Sequence, residues 1–428
     1  MPYGIWTATL ITALGSGAAF VCLLVCRRSA EALMALLTLA FMAGNTVAIL
    51  QVARLYGEPA IALAAAAVSL AAAAGGWGLA SALLAPLLED RDVPPEVRET
   101  DDSSNSEAGG DSNPGTTGDD TGIPAVLLLV CLEPETYSPR RVATELAALA
   151  HAGLREAGLI ITPFLYLAQK TRYRTMGGTS QEAASARRLT RCLEELVTTR
   201  WPGASVELVD CSTTYALASR VSELAAAGHR RFVVANASVA DSYELDRATA
   251  ALNSLHPRAI GLGVEVTPPL WGSEPLASKV ADRVLAVTAD TATTGVALVM
   301  HGQPDSRHQT NPDFDEQEAA FCSRVRLLLQ EEGIDEHMVK SCYHDWESPD
   351  ATETVRHLAA LGCKRVVVVP ACFPFESTAT VLDLPVAVAQ ARVEEHVSTV
   401  VLPAWNDEQG IAEILVQAID DVQAGSPA

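Results

Sequence analysis

The chain has 428 residues, a formal net charge of −22 and 49% hydrophobic residues, with a mean hydropathy of +0.19. That length has room for two or three domains; the hydropathy is too high for an ordinary soluble enzyme, and the acidity argues against nucleic acid as a partner. Cysteines at 22, 26, 131, 192, 211, 322, 342, 363 and 372 include no C-x-x-C pair, a pattern that fits a reducing cytoplasm and gives no zinc or iron–sulfur spacing.

The apolar excess is N-terminal. Gly4 to Cys26, Ala32 to Val52 and Pro59 to Leu88 are runs of about 20 residues or more, nearly free of charge, and are expected to form three transmembrane helices. A buried helical bundle is the alternative reading. Gly75-Gly76 in the third run suits close helix packing. Arg27 and Arg28 lie between the first two runs, Arg91 and Arg98 follow the third, and Arg54 stands alone on the opposite side. Basic residues are retained on the cytoplasmic side, so the expected topology is multi-pass in the cell membrane, with the N-terminus outside and everything after the third helix cytoplasmic.

Glu89 to Gly122 is Asp, Glu, Ser, Gly, Pro and Thr with almost no large apolar side chain. Such a segment buries too little surface to offset the entropy of ordering and is expected to be a disordered tether. As a flexible coil of about 34 residues it spans roughly 30 Å.

From Ile123 onward, short β-branched runs alternate with amphipathic stretches. Strands are expected at Ala125–Cys131, Ser205–Asp210, Arg231–Ala235, Gly295–Met300, His337–Cys342, Arg365–Pro370 and Val397–Leu402, with helical patterns at Gln181–Arg200, Asp315–Glu332, Pro349–Leu361 and Asp407–Val422. This alternation implies parallel sheets with helices on both faces. The resulting division is 1–88 anchor, 89–122 linker, 123–290 first half and 291–428 second half.

An internal repeat supports two halves. Val221 to Ser238, VSELAAAGHRRFVVANAS, aligns without gaps on Val355 to Cys372, VRHLAALGCKRVVVVPAC, and roughly half of the positions are identical. Each copy reads as a helix, a Gly cap, a basic pair and a buried strand. Ala125 to Pro134 likewise matches Gly295 to Pro304, pairing Cys131 with His301. Two such halves form a cleft at the carboxyl ends of their strands, where open α/β sheets bind ligands.

Four segments then stand in order: Tyr173-Arg174-Thr175-Met176-Gly177-Gly178-Thr179-Ser180, Trp271-Gly272-Ser273-Glu274-Pro275, His301-Gly302-Gln303-Pro304 with Asn311-Pro312, and Pro403-Ala404-Trp405-Asn406-Asp407. Together they make Ile123 to about Val422 resemble ferrochelatase, which inserts ferrous iron into a porphyrin, and more distantly the sirohydrochlorin cobaltochelatases. The resemblance implies an α/β fold of two pseudo-symmetric, Rossmann-like halves with parallel sheets, here preceded by the three transmembrane helices. It also implies that Arg174, Gly177, Gly178 and Ser180 border the porphyrin, and that His301 acts at the metal. Porphyrin metallation removes two pyrrole N–H protons as a divalent cation arrives, so a base or neutral imidazole must stand over the macrocycle.

The family's Asp-His-x-Glu run is here Glu376-Ser377-Thr378-Ala379, which keeps an acid and lacks the histidine and second glutamate. His301 and Glu376 are therefore the expected catalytic and metal-handling pair. Cys131 is a further candidate metal ligand, since a thiolate binds soft or borderline metals; a plain buried cysteine is the other reading. His344-Asp345 after a strand could present an oriented imidazole at the rim, or be a surface loop. Leu159 to Ala168 with Lys170, Arg172 and Arg174 suits a macrocycle face and its propionates, or a buried helix with a solvated basic end.

The expected function is a membrane-tethered ferrochelatase-like enzyme that inserts Fe²⁺, or another divalent metal, as substrate in heme biosynthesis, with no resident cofactor and no iron–sulfur cluster. The alternative is a non-catalytic tetrapyrrole or heme carrier on a degenerate chelatase fold. Expected partners are the porphyrin, the membrane and a membrane protein.

Overall fold

The computed structural model describes residues 2–25, 28–56, 59–88, 124–142, 158–405 and 409–425. The tether at 89–122 lies outside the described residues, as do Asn406 and Asp407 of the last family segment. The chain divides into two compact units, Met1–Arg91 with Thr136–Thr179, and Asp92–Glu135 with Ser180–Ala428.

The first unit contains α1 (Pro2–Val25), α2 (Arg28–Tyr56), α3 (Pro59–Leu88) and α4 (Gly158–Thr175). α1 packs on both α2 and α3, and α4 packs on α1 and α3. The α1–α3 contact needs glycine: a Cβ on Gly17 would stand 1.9 Å from the Ala73 carbonyl oxygen, and one on Gly76 would stand 2.1 Å from that of Leu14. Small residues thus bring the two backbones together, as the Gly75-Gly76 pair suggested.

The membrane expectation fails. Among the described residues no helix is long and apolar enough to cross a membrane. A span requires sustained strong hydropathy over about 20 residues, and these runs carry Gly, Ser and Thr among their apolar residues. Thr9 and Ser69 are buried in the unit itself. With the spans go the multi-pass localisation and its outside N-terminus.

The second unit is built on two four-stranded parallel sheets. The first comprises β1 (Ala125–Val130), β2 (Ser205–Asp210), β3 (Arg231–Asn236) and β4 (Gly263–Val266), in the order β2-β1-β3-β4; the second comprises β5 (Thr294–Met300), β6 (Val339–Tyr343), β7 (Arg365–Pro370) and β8 (Ser398–Val401), in the order β6-β5-β7-β8. The repeat is visible in the register. Ala125 pairs with Phe232, and Gly295 pairs with Val366; these are the positions that the sequence repeat makes equivalent. β4, only four residues long, was not among the expected strands.

Helices cover both faces of each sheet because the central strands are apolar on both sides. Val126, Leu128, Val296 and Leu298 share one core with Leu189 and Leu193 of α5 (Glu182–Arg200), Val280 and Val284 of α8 (Glu274–Val287), Phe321 and Val325 of α9 (Asp313–Glu331), and Leu415 of α12 (Gln409–Gly425). The alternate residues Leu127 and Leu129 face α6 (Ala216–Ala226) and α7 (Tyr243–Ser254). Ala297 and Val299 face α10 (Ala351–Ala360) and α11 (Leu384–Ala391). Every residue of β5 is buried, and each fully buried Val or Leu contributes about 1.5–3 kcal/mol relative to exposure. β5 is therefore a rigid post for His301, the next residue in the chain.

Candidate functional site

His301 sits at the carboxyl end of β5, where the chain leaves the sheet. Its ring Nδ1 lies 2.7 Å from Glu318 Oε1, and its backbone N–H donates to Glu318 Oε2 at 2.9 Å. The Gly302 N–H reaches the same oxygen at 3.5 Å. Glu318 is 1% exposed and belongs to the apolar face of α9 with Phe321, Cys322 and Val325. With Nδ1–H committed to the carboxylate, the neutral imidazole carries its lone pair on Nε2. The side chain is 39% exposed, so this lone pair belongs to a group that solvent and small ions reach.

Phe373, just past β7, supports the ring, with centroids 3.9 Å apart and planes tilted by 32°. The His344 ring also meets Phe373, edge-on at 5.8 Å. His344 is thus part of the same constellation, tied in by its backbone N–H to Met300 O at 2.8 Å. Its Nδ1 lies 2.9 Å from Asp345 Oδ2 and its Nε2 3.4 Å from Asp383 Oδ2, and the side chain is 13% exposed. Burial alone would lower the His344 pKa; the hydrogen bonds and charges of Asp345 and Asp383 override it and raise the value to about 9. Near neutral pH His344 is an imidazolium engaged at both nitrogens. It supplies a fixed positive charge rather than a metal lone pair.

Asp383 ends a π-helical turn, Ala379–Asp383, in the segment that begins with Glu376. Thr380 Oγ1 donates to Glu376 Oε2 at 2.7 Å and accepts from the Ser377 N–H at 2.9 Å. Thr378 turns instead to the first half: its N–H donates to Glu133 Oε1 at 2.9 Å, and its hydroxyl bonds Glu133 Oε2. Ser180 Oγ also donates to Glu133. Glu133 follows β1 and occupies the position equivalent to Gln303. The two halves are pinned again at Asp241, whose N–H donates to Gln317 Oε1 at 2.7 Å and whose carbonyl accepts from Asn311 Nδ2 at 2.7 Å.

Of the expected porphyrin-border residues, Ser180 is in the second unit, buried, and spends its hydroxyl on Glu133. Arg174, Gly177 and Gly178 belong to the first unit. Arg174 is exposed in the last turn of α4, and the glycines form the turn that closes the helix, with φ of 85° and 98° and the Gly178 N–H bonded to Tyr173 O at 2.7 Å. Lys170 of the same helix is buried and stands 5.7 Å over the Tyr137 ring, so the basic tail is not uniformly solvated.

Cys131 lies at the end of β1, next to Cys211 at the end of neighbouring β2. The hydrogen bond to Cys211 and then burial hold its pKa well above the ordinary thiol value. The thiol form therefore prevails near neutral pH, which disfavours the thiolate that a ligand role needs.

Glu318, Phe373 and Asp383 were missed from the sequence. A signal existed for Glu318. It falls in helical register with Phe321, Cys322, Val325 and Leu329, and a carboxylate on an apolar helix face must have an internal partner.

The family model described as ferrochelatase matches residues 152–422, more than half of the chain. The chain belongs to the ferrochelatase family. The match begins after β1, so Cys131 and Glu133 lie outside it, while His301, Glu318 and Glu376 lie within it. No curated protein matches this ferrochelatase-family chain in sequence. Among solved structures it is similar to SirB from Bacillus subtilis with Fe3+, at 13% identity and a TM-score of 0.43 over 57% of this chain and 90% of that one. It is also similar to CbiX, described as the terminal enzyme for biosynthesis of siroheme in denitrifying bacteria, at 16% identity and a TM-score of 0.39 over 71% and 100% of the two chains. DR2241 from Deinococcus radiodurans, a multi-domain protein with structural similarity to chelatases, matches at 16% identity and a TM-score of 0.43, covering 72% of this chain and 56% of its own.

Proposed function

We propose that the chain is a metal chelatase that inserts Fe²⁺, or another divalent metal, into a porphyrin in heme biosynthesis. The observation that carries this reading is the His301–Glu318 pair at a strand end in a chain of this family. Insertion converts a metal dication and a neutral porphyrin into the metalloporphyrin and two protons. His301 Nε2 accepts a pyrrole proton, and the buried Glu318 carboxylate stabilises the imidazolium that forms. Glu376, oriented by Thr380, is the second acid proposed to hold the incoming cation or take the other proton. Arg174, Gly177, Gly178 and Ser180 are the proposed border of the porphyrin, and Cys131 is the weaker candidate ligand, because its thiol must first lose its proton.

A second reading, a tetrapyrrole or heme carrier without turnover, has one observation in its favour. Ser377 and Ala379 stand where the family carries histidine and glutamate, and neither side chain is a base near neutral pH. One assay decides. Full-length protein is mixed with coproporphyrin or protoporphyrin and Fe²⁺, Co²⁺ or Zn²⁺, and absorbance is followed. Metal insertion that is lost in His301→Ala supports the enzyme. Tight porphyrin binding with no insertion overturns it in favour of the carrier.

A further inference from the structure

Outside the His301 constellation, a second group of metal-ligating side chains converges from three segments of the second half. The loop after β5 supplies Asp305 and His308, the first turn of α9 supplies Asp315, and the loop after β6 supplies Glu347. His308 Nε2 lies 3.0 Å from Asp315 Oδ2 and 3.4 Å from Glu347 Oε1, and His308 Nδ1 lies 4.0 Å from Asp305 Oδ1. One ligand atom each from Asp305, His308 and Glu347 falls within 4.8 Å of the others. We propose that His308, Asp315 and Glu347, with Asp305 behind the imidazole, form a divalent-cation site distinct from the His301 cleft.

Three observations support it. Ligands at about 2.0–2.2 Å from a metal stand roughly 3.0 Å apart at right angles and roughly 3.4 Å apart at the tetrahedral angle, and His308 Nε2 stands at these separations from Asp315 Oδ2 and Glu347 Oε1. Asp315 Oδ1 is buried and has no hydrogen-bond partner, although Gln303 Nε2 donates to Oδ2 at 2.9 Å. A buried carboxylate oxygen without a donor is costly, and a cation held by both oxygens of Asp315 removes that cost. The charge is also unbalanced, with three carboxylates around one imidazole. Arg307, the adjacent cation, is turned away to Glu244 at 3.2 Å and lies 4.8 Å over the Tyr243 ring.

One imidazole with carboxylates selects borderline divalent ions such as Zn²⁺, Co²⁺, Ni²⁺ or Fe²⁺ over Ca²⁺, which prefers all-oxygen shells, and over Cu⁺, which prefers sulfur. With the ion on Nε2, the Nδ1–H faces Asp305, the arrangement in which a carboxylate orients a metal-bound histidine. Gln303 joins Asp315 to the loop that starts at His301, so occupancy of this site bears on the position of that loop.

The test uses metal-free, full-length protein titrated with Co²⁺ alone, by calorimetry and visible absorbance, with no porphyrin present. The expected result is a Co²⁺ equivalent that survives in His301→Ala and binds about tenfold more weakly, or worse, in His308→Ala and Glu347→Gln. Glu347→Gln keeps the side-chain volume, and circular dichroism identifies a variant that fails to fold, in which case the other variant decides. The proposal is overturned if wild type binds no Co²⁺, if affinity is unchanged in the folded His308 and Glu347 variants, or if binding disappears in His301→Ala. Because no porphyrin is used, a protein that fails the insertion assay and passes this titration leaves the site standing.

Discussion

The Glu318 carboxylate receives the His301 ring N–H through one oxygen at 2.7 Å and the His301 backbone N–H through the other at 2.9 Å. Both oxygens must accept, and only an ionised or correctly turned carboxyl group does so. In Glu318→Gln the amide N–H₂ is forced against one of the two donors, which leaves a buried group unsatisfied at a cost of about 1–3 kcal/mol. The imidazole also loses its charged partner. Porphyrin metallation is expected to fall by about 10- to 100-fold in kcat, with little change in the porphyrin KM, because Glu318 touches no substrate. His301→Ala removes the base itself and is expected to cost about 10²–10⁴-fold. Steady-state insertion kinetics read both. An equal loss in KM for Glu318→Gln would contradict the assigned role.

Much of this constellation could be read from sequence, and the residues that could not share a reason. Strand ends announce themselves: β5 is a short apolar run closed by His, Gly, Gln and Pro, and its repeat equivalent, β1, is found without the structure. His344 could be placed at a strand end in the same way. Whether its nitrogens are open or occupied depends on Asp383, which is distant in sequence and lies on a π-helical turn that no periodicity signals. The partner of Thr378 is Glu133, in the other half of the chain, and no local pattern reports such a contact. The N-terminal helices were legible as helices. Their expected crossing of a membrane failed, since among the described residues no helix is long and apolar enough to span one.

Thr378 and Glu133 should matter to stability more than to chemistry. Glu133 accepts from the Thr378 N–H, the Thr378 hydroxyl and the Ser180 hydroxyl, joining the two halves. Thr378→Val keeps the shape and removes one donor to a carboxylate, at a cost of about 1.5–3 kcal/mol. A lower midpoint in thermal or denaturant unfolding is expected, with porphyrin binding by the folded protein retained. An unchanged midpoint would show that the contact contributes nothing.

His344 gives a pH dependence with a definite sign. Its pKa is about 9 in the folded chain against an ordinary 6.5, so folding favours the protonated form. The stabilisation is therefore fully present below about pH 6.5 and is lost as pH rises through about 9; its ceiling is on the order of 3 kcal/mol. Denaturant unfolding of wild type should show stability declining across that window. In Asp383→Asn, which removes one of the two anionic partners, the decline should be shallower and the low-pH stability smaller. A wild type whose stability is flat between these limits would refute the ion-paired imidazolium.

Cys131 can be separated from the metal chemistry by a conservative change. Its thiol is held protonated by Cys211 and by burial, so near neutral pH it should be alkylated slowly and contribute little as a ligand. Cys131→Ser is expected to leave the insertion rate near that of wild type. A large fall in rate, with the fold intact, would restore Cys131 as a ligand and require that metal arrival displace the thiol proton.

Gly302 tests whether the loop after β5 must hold its shape for His301 to work. Its φ is 77°, in the left-handed region, and a Cβ there would stand 2.3 Å from the Asp345 carbonyl oxygen. The Asp345 N–H in turn donates to His301 O at 3.1 Å. Gly302→Ala therefore meets both a backbone penalty of about 1–2 kcal/mol and a clash with backbone that cannot yield without moving the residues on either side of the His301 ring. Because Glu318 Oε2 accepts from Gly302 as well as His301, the shift reaches the tautomer-fixing bond. Lower unfolding stability and slower metal insertion are expected together. Gly302→Ala with wild-type kinetics would show that the His301–Glu318 contact survives displacement of its loop, and that β5 alone positions the imidazole.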